Sequence, residues 1–326
     1  MKHILTLLVA SLIAGTVFAN WHADELGHGY ISRTVNQPDD YSGRVISTII
    51  ARDTLVAGGK GVLYIHGFND YFFQAALGDS IVAHGWNFRA VDLRKYGRSL
   101  LEGQKRYQIR NINEYYPDID SALVDMSSAG IDTIVIMAHS TGGLVASMYL
   151  NKVAAPDVYG LILNSPFLEW NMNGFMRKVA VPVVGFLGSI FPNMKINQSV
   201  STAYSYSLLR QYGGQWDYDT TKKLIVSPAV SAGWIHAIES AQNWLHKHSD
   251  IRVPILLMHS LNSVDGSEAS QGDAVLNVEH ISQLGKHLGP DVEEVTINGG
   301  LHDLILSAPA ARDSAYRAIF TFLKKF

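Results

Sequence analysis

Met137-Ala138-His139-Ser140-Thr141-Gly142-Gly143 is the segment whose residue types could do covalent chemistry. It follows a short apolar run and precedes a helix-length pattern. It is close to the G-x-S-x-G turn that presents a nucleophilic serine, with Ala138 in the first glycine position. In so sharp a turn, side chains two positions either way would collide with neighbouring backbone. Alanine is the smallest departure from glycine, so the turn remains available. A serine placed there attacks a carbonyl, provided that a base takes its proton and a carboxylate orients the base.

His302, in Gly299-Gly300-Leu301-His302-Asp303, is the candidate base, since it follows a late strand and the order serine, acid, histidine is kept. The acid belongs on the loop after the apolar run at 254–259, which offers Asp265 and Asp273. Asp273 heads Asp273-Ala274-Val275-Leu276, whose apolar residues can anchor a carboxylate against the core. Asp265 sits in a turn-like stretch where aspartate commonly serves the backbone. Asp273 is therefore preferred, with Asp265 kept as the alternative. Asp303 is set aside because adjacent residues seldom bring their side chains together. Gly67, in His66-Gly67-Phe68-Asn69-Asp70, permits a turn that aims the Phe68 N–H at a reacting carbonyl. The Thr141 N–H would be the second oxyanion donor, and losing one such donor costs about 3 kcal/mol. His66 reads as structural.

The elements that must position these residues are short, continuously apolar strands at 61–66, 87–92, 133–138, 158–163, 254–259 and 294–297. Helix-length patterns separate them at about 71–84, 113–128, 142–152 and 278–288, with a last one at 309–325. Strands alternating with helices imply an α/β fold, a mostly parallel central sheet covered on both faces. Two further strands at 27–33 and 42–52 suggest an antiparallel edge. The alternation stops at Ser165 and resumes at Pro254. The aromatic-rich stretch between, about 166–250, is too long for a structureless loop and reads as an inserted, mainly helical cap.

Composition narrows the function classes. The 326 residues carry 26 Lys+Arg against 29 Asp+Glu, a net charge of −3, which lacks the basic surplus of a nucleic-acid binder. Cysteine is absent, which excludes disulfides, cysteine-ligated metal and a cysteine nucleophile. No H-E-x-x-H pattern occurs, and His246-x-His248 reads as a helix-surface pair, so neither metal nor cofactor is expected. Lys2 and His3, an apolar run at 4–18 and the small residues Val17 and Ala19 form a cleavable export signal at 1–19, the run being short of the ~20 residues that cross a bilayer. The expectation is one domain at 20–326 that works in the periplasm or outside the cell. The strongest later apolar run, 179–192, is broken by Pro182, Gly185 and Gly188 and reads as buried or groove-lining, with contact to a lipid surface as the alternative. Oligomeric state is not legible.

Taken together, His66-Gly67-Phe68, the segment Asp92-Leu93-Arg94-Lys95-Tyr96-Gly97-Arg98-Ser99, the Ser140 turn and Gly300–His302 resemble the α/β-hydrolase superfamily, in its monoglyceride lipase, lysophospholipase and serine-aminopeptidase-like branch. The resemblance covers roughly residues 27–326. It implies an α/β-hydrolase fold and a serine hydrolase cleaving carboxylic esters of small-molecule or lipid-like substrates. Two departures stand out: Lys95 replaces the usual glycine of D-x-R-G-x-G-x-S, and the usual acid position falls on Ser263, so Asp273 implies an insertion. Arg94 and Arg98 read as structural in that branch, with a substrate-facing role as the alternative. Two other functions compete: a peptidase removing N-terminal residues, which needs an acidic pocket (Glu169, Asp217, Asp219 and Glu239 are candidates), and a non-catalytic binding protein on the same scaffold.

Overall fold

The computed structural model describes residues 20–197 and 201–326, so the export signal read at 1–19 lies outside the described residues. A short strand β1 (His22–Ala23) is followed by the hairpin β2 (Tyr30–Asp40) and β3 (Gly43–Arg52). Alternation then begins: β4 (Lys60–Ile65), α1 (Ala75–Ala83), β5 (Asn87–Asp92), α2 (Tyr116–Ser128), β6 (Thr133–His139), α3 (Thr141–Lys152) and β7 (Val158–Asn164). After β7 come α4 (Val181–Ile190), β8 (Lys195–Ile196), α5 (Ala203–Leu208), β9 (Val230–Ser231) and α6 (Ala232–His248). The alternation resumes with β10 (Ile255–Ser260), α7 (Val278–Gly285), β11 (Val292–Ile297) and α8 (Pro309–Leu323).

Among the described residues, nine strands form one sheet in the order β1-β2-β3-β5-β4-β6-β7-β10-β11. Pairing is antiparallel from β1 to β5 and parallel from β5 to β11. The continuous apolarity of the strands has a direct cause, because successive side chains point to opposite faces and both faces are covered. Leu63, Ile65, Ile134 and Ile136 pack with Ile119 and Met126 of α2 and Leu144 of α3. Val62, Tyr64, Val135 and Met137 pack with Leu77 and Ile81 of α1 and Ile319 and Phe322 of α8. Parallel register then brings the carboxyl ends of the strands to one edge, with Ile65 beside Ala138, His139 beside Asn164, and Ser260 beside Ile297.

Some boundaries differ from the sequence reading. The helix expected from 71 starts at Ala75, because Asn69–Gln74 is engaged in side-chain and backbone bonds of its own, such as Phe72 N–H to Asp92 Oδ1 at 2.8 Å. The first long strand starts at Tyr30 rather than 27, since Gly27, His28 and Gly29 all have positive φ and turn the chain. The run at 179–192 is also only half buried. In α4, Val181, Gly185 and Gly188 face inward, whereas Val183, Phe186 and Ile190 are exposed. The glycines explain the inner side: a Cβ at Gly188 would stand 2.0 Å from Ala232 O of α6, so only glycine lets the two helices approach this closely.

Arg94, Lys95 and Arg98 are structural. Arg94 donates from Nε and Nη2 to the buried Asp118 at 3.0 and 2.8 Å. Arg98 reaches Asp24 at 2.8 Å and Asp92 at 2.9 Å. Lys95 stands where glycine is usual, and its φ is +64°, the left-handed region that glycine adopts without strain. Its side chain is fully buried, donating to Asp40 Oδ2 at 2.6 Å and Gln108 O at 3.0 Å. The left-handed backbone costs about 1–2 kcal/mol, and the ion pair and burial of the stem offset it. Lys95→Gly removes the strain but leaves Asp40 Oδ2 without its cation, Oδ1 keeping its two bonds from Ser42. The net expectation is a loss of about 2 kcal/mol, measured as a lower midpoint in denaturant titration.

Candidate active site

Ser140 sits between β6 and α3 with φ +52° and ψ −118°. Strain of this kind costs about 1–3 kcal/mol and persists only where the surroundings over-determine it. They do so here. Ser140 N–H donates to Asn164 O at 3.0 Å, and Ser140 O accepts from the N–H groups of Gly143 at 2.9 Å and Phe167 at 2.9 Å. A Cβ on Gly142 would lie 2.4 Å from His66 O, and one on Gly143 would lie 2.8 Å from Pro166 Cβ. Small residues are thus required on the helix side, while Ala138 fits on the strand side within a buried β6.

His302 is carried by the loop after β11. Gly299, at φ +69°, turns the chain, and the side chain of Asp303 accepts from Ile305 N–H and Asn164 Nδ2 to pin the far side. The imidazole is held at both ends: Nδ1 is 3.0 Å from Asp273 Oδ2, and Nε2 is 2.9 Å from Ser140 Oγ. With Nδ1–H donating to the carboxylate, Nε2 is free to accept the serine proton. Tyr204, from the cap, places its ring edge-on to His302 at 5.6 Å and accepts from Asp303 N–H.

The acid position shows how an insertion can be absorbed. Ser263 and Asp273 lie side by side, with Asp273 N–H donating to Asn262 O and Val264 N–H to Asp273 O, both at 3.0 Å. Residues 264–272 are thereby looped out, and Asp273 arrives where Ser263 falls in the family's spacing. Asp265, on that excursion, is exposed, and the His302 Nδ1 partner is Asp273 instead. Asp273 is fully buried, and Oδ1 accepts from the N–H groups of Val275 and Leu276 at 2.8 Å each. Burial alone would raise its carboxyl. The His302 ring and the two backbone donors outweigh burial and hold it below the ordinary carboxylate range.

Phe68 follows Gly67, whose missing Cβ would stand 3.0 Å from Ser140 Cβ, so the loop backbone passes directly against the serine. Thr141 opens α3, where the first N–H groups have no acceptor within the helix. Phe68 lies outside any helix or strand, and its N–H makes no backbone bond among the described residues. His66 is buried, accepting from Leu93 N–H at Nε2 and bonding Gly67 O through Nδ1, which makes it a brace for the same loop.

Some contributors were not legible in the sequence. Asn164 at the end of β7 serves both Ser140 and Asp303, Tyr204 and Trp234 come from the cap, and Asp70 lies behind the site. Single polar residues at strand ends carry no signal by themselves. Asp70, His139 and Asp303 bring potential metal-ligand atoms within 4.8 Å of one another. Asp303 is satisfied by Asn164, Gln74 and Ile305 N–H, and Asp70 Oδ1 by Lys223, whereas Asp70 Oδ2 and both ring nitrogens of His139 are buried without a hydrogen-bond partner among the described residues. His246 and His248 each bond a backbone carbonyl rather than each other.

The depressed Asp273 carboxyl gives a pH expectation. Its contribution to stability is complete above the ordinary value of about 3.9 and is lost as acidification passes through the lower folded value. Asp273→Asn lacks that contribution at every pH, so its Tm falls less than that of the parent protein between about pH 6 and about pH 3, measured by thermal denaturation.

The family Serine aminopeptidase, S33 matches this chain over residues 59–309. Phospholipase YtpA of Bacillus subtilis (strain 168) is 25% identical over 204 residues, covering 61% of this chain and 74% of its own. Among solved structures, a soluble variant of the monoglyceride lipase of Saccharomyces cerevisiae, in complex with a substrate analog, superposes with a TM-score of 0.62 at 16% identity, covering 96% of both chains. The monoacylglycerol lipase of Paleococcus ferrophilus gives 0.61 at 19% identity, covering 90% of this chain and 98% of its own. The order and direction of the strands, the helices on both faces and the family match agree: the chain has the α/β-hydrolase fold and belongs to the Serine aminopeptidase, S33 family of hydrolases.

Proposed function

We propose that this protein is an exported serine hydrolase that cleaves carboxylic esters of acyl lipids, of the monoacylglycerol or lysophospholipid kind. The observation that carries the reading is the unbroken chain from Asp273 through His302 to Ser140, with contacts of 3.0 and 2.9 Å. Ser140 Oγ attacks the ester carbonyl as His302 Nε2 takes its proton, and Asp273 holds the imidazole in the tautomer that can do so. The N–H groups of Phe68 and Thr141 receive the oxyanion. The alcohol leaves with the proton from His302, and water activated by the same nitrogen then releases the acyl group from Ser140.

Three further observations support a lipid-like substrate. Phe68 is flanked by Tyr107 and by Trp234 of the cap, with ring centroids 4.7 and 4.8 Å away, and Trp170 stands behind Trp234 at 6.1 Å. The similar proteins include a phospholipase and monoglyceride lipases. The outward side of α4, with Phe175 before it and Phe191 after it, presents exposed apolar residues, which suits loose contact with a lipid surface. Export rests on the sequence of residues 1–19.

The peptidase alternative finds less support. It needs free carboxylates for a substrate amino group, yet Asp217 pairs with Arg210 at 2.8 Å, Asp219 with Lys222 at 2.5 Å, and Glu169 lies 3.9 Å from Arg177. That leaves Glu239, bonded to Asn243 Nδ2 at 3.4 Å, as the candidate not paired with a cation among the described residues. A binding protein on this scaffold would be expected to lack a member of the chain, and none is missing.

Hydrolysis of acyl esters over a chain-length series tests the reading. Turnover that vanishes in Ser140→Ala supports it, and no turnover with no fluorophosphonate labelling of Ser140 overturns it. Asp273→Asn is expected to lower kcat about a thousandfold or more, while Asp265→Asn stays near the parent value. The reverse result would move the acid to the excursion.

A further inference from the structure

The three residues after Phe68 are all fastened to one strap of the cap, residues 219–224. Asn69 donates from Nδ2 to Leu224 O at 2.8 Å and accepts from Leu224 N–H at 2.9 Å. Asp70 Oδ1 accepts from Lys223 Nζ at 2.9 Å. The Tyr71 hydroxyl accepts from Asp219 N–H at 2.9 Å. None of these bonds reaches Ser140, yet together they hold the loop that carries the Phe68 N–H.

The fastening bears on a strained backbone. Asn69 has φ +49°, a conformation that asparagine tolerates but does not prefer. It is over-determined by the two Leu224 bonds and by Tyr107, whose hydroxyl donates to Asn69 Oδ1 at 2.8 Å. The central tie is unusual in being buried: Asp70 is fully enclosed and Lys223 is 4% exposed. Burial would raise the Asp70 carboxyl, but the Lys223 ammonium, followed by His139, holds it well below the usual range. The strap is itself secured, with Lys222 reaching Glu25 and Asp219 and Arg106 donating to Thr221 O.

The pair also touches the site from behind. Asp70 Oδ2 lies 3.5 Å from Nδ1 of His139, the residue before Ser140, and the His139 ring is 4.9 Å from that of His302. A buried ion pair is a costly way to gain stability, whereas removing one partner leaves an uncompensated charge. Its geometric effect is to fix the position of a loop.

We propose that Lys223 is a positioning residue: through Asp70 and the neighbouring strap contacts it holds Asn69, and hence the Phe68 N–H, against Ser140, so that the oxyanion hole is complete only while the cap strap is docked. The inference rests on the ester-hydrolase reading of Ser140 and Phe68. It separates two roles of the cap, since the aromatic wall acts on substrate binding and the strap on stabilisation of the transition state.

The test compares the parent protein, Ser140→Ala, Lys223→Met, Lys223→Met with Asp70→Asn, and Tyr71→Phe on a short-chain ester, reading kcat, KM, Tm and the rate of fluorophosphonate labelling. Lys223→Met is expected to lower Tm, because Asp70 is left without its cation, and the doubly neutral variant should regain most of that loss. In both, kcat should fall at least tenfold with KM within threefold, and labelling of Ser140 should be slower but reach the same extent. Tyr71→Phe, which disturbs no buried charge, should lower kcat severalfold. A merely structural role moves kcat together with Tm, so a doubly neutral variant that regains both overturns the proposal. Should the Lys223 variants not fold, Tyr71→Phe decides, and parental kcat there overturns it. Failure of the parent protein on every ester is a separate result, since it removes the ester reading itself.

Discussion

Ser140 holds a φ of +52° at the point where a buried strand turns directly into a buried helix, and the other parts of the site are arranged around that junction. The conformation is unfavourable for an L-residue, so it exists only because the junction cannot relax. β6 is locked between β4 and β7, α3 is buried along its first nine residues, and the carbonyl of Ser140 is held by N–H groups from α3 and from Phe167. The side chain is lifted away from the sheet towards His302 as a consequence. A larger residue at Gly142 would meet the His66 carbonyl and push apart the two loops that must approach the serine.

Parallel pairing converts this local geometry into a site. Residues more than a hundred positions apart reach one edge because each crossover returns the chain to start its next strand at the same end. His302 and Asp273 therefore arrive on loops rather than on regular elements, and their precision comes from hydrogen bonds. Asp303 is gripped by Asn164 and Gln74, Asp273 by two backbone N–H groups, and the excursion at 264–272 is closed at its neck. The cap contributes on the same principle. It meets the edge that carries Ser140 and His302 through Tyr204, Trp234 and the 219–224 strap, while α4 leans on α6 through glycines and leaves its large apolar side chains outside.

Charge is handled consistently throughout the interior. Arg94 with Asp118, Lys95 with Asp40, Arg98 with Asp24 and Asp92, and Lys223 with Asp70 are pairs in which at least one member is deeply buried. All but Arg98–Asp92, six residues apart, join segments distant in sequence. An isolated charge in such surroundings would cost several kcal/mol, so each member makes its partner obligatory. These pairs act as register marks for loops that carry little apolar surface of their own.

The amino-acid sequence by itself determined the alternation of strands and helices, the Ser140 turn, the Gly67 loop and His302, because these depend on local rules: apolar runs for doubly covered strands, small residues for sharp turns, and chain order. It also ranked Asp273 above Asp265 from the apolar residues that follow. Tertiary structure alone decided the matters that depend on distant neighbours. Lys95 could occupy a glycine position because Asp40 and Gln108 wait for its ammonium, and the helix after Gly67 starts late because Asn69, Asp70 and Tyr71 are committed to the cap. The apolar run at 179–192 shows the same limit: hydrophobicity is a property of each residue, but burial depends on which side finds a partner, and here the glycine side found α6. Local patterns are written in consecutive residues and can be read there; a buried charge pair or a helix contact is defined by two segments, and neither segment alone records the other.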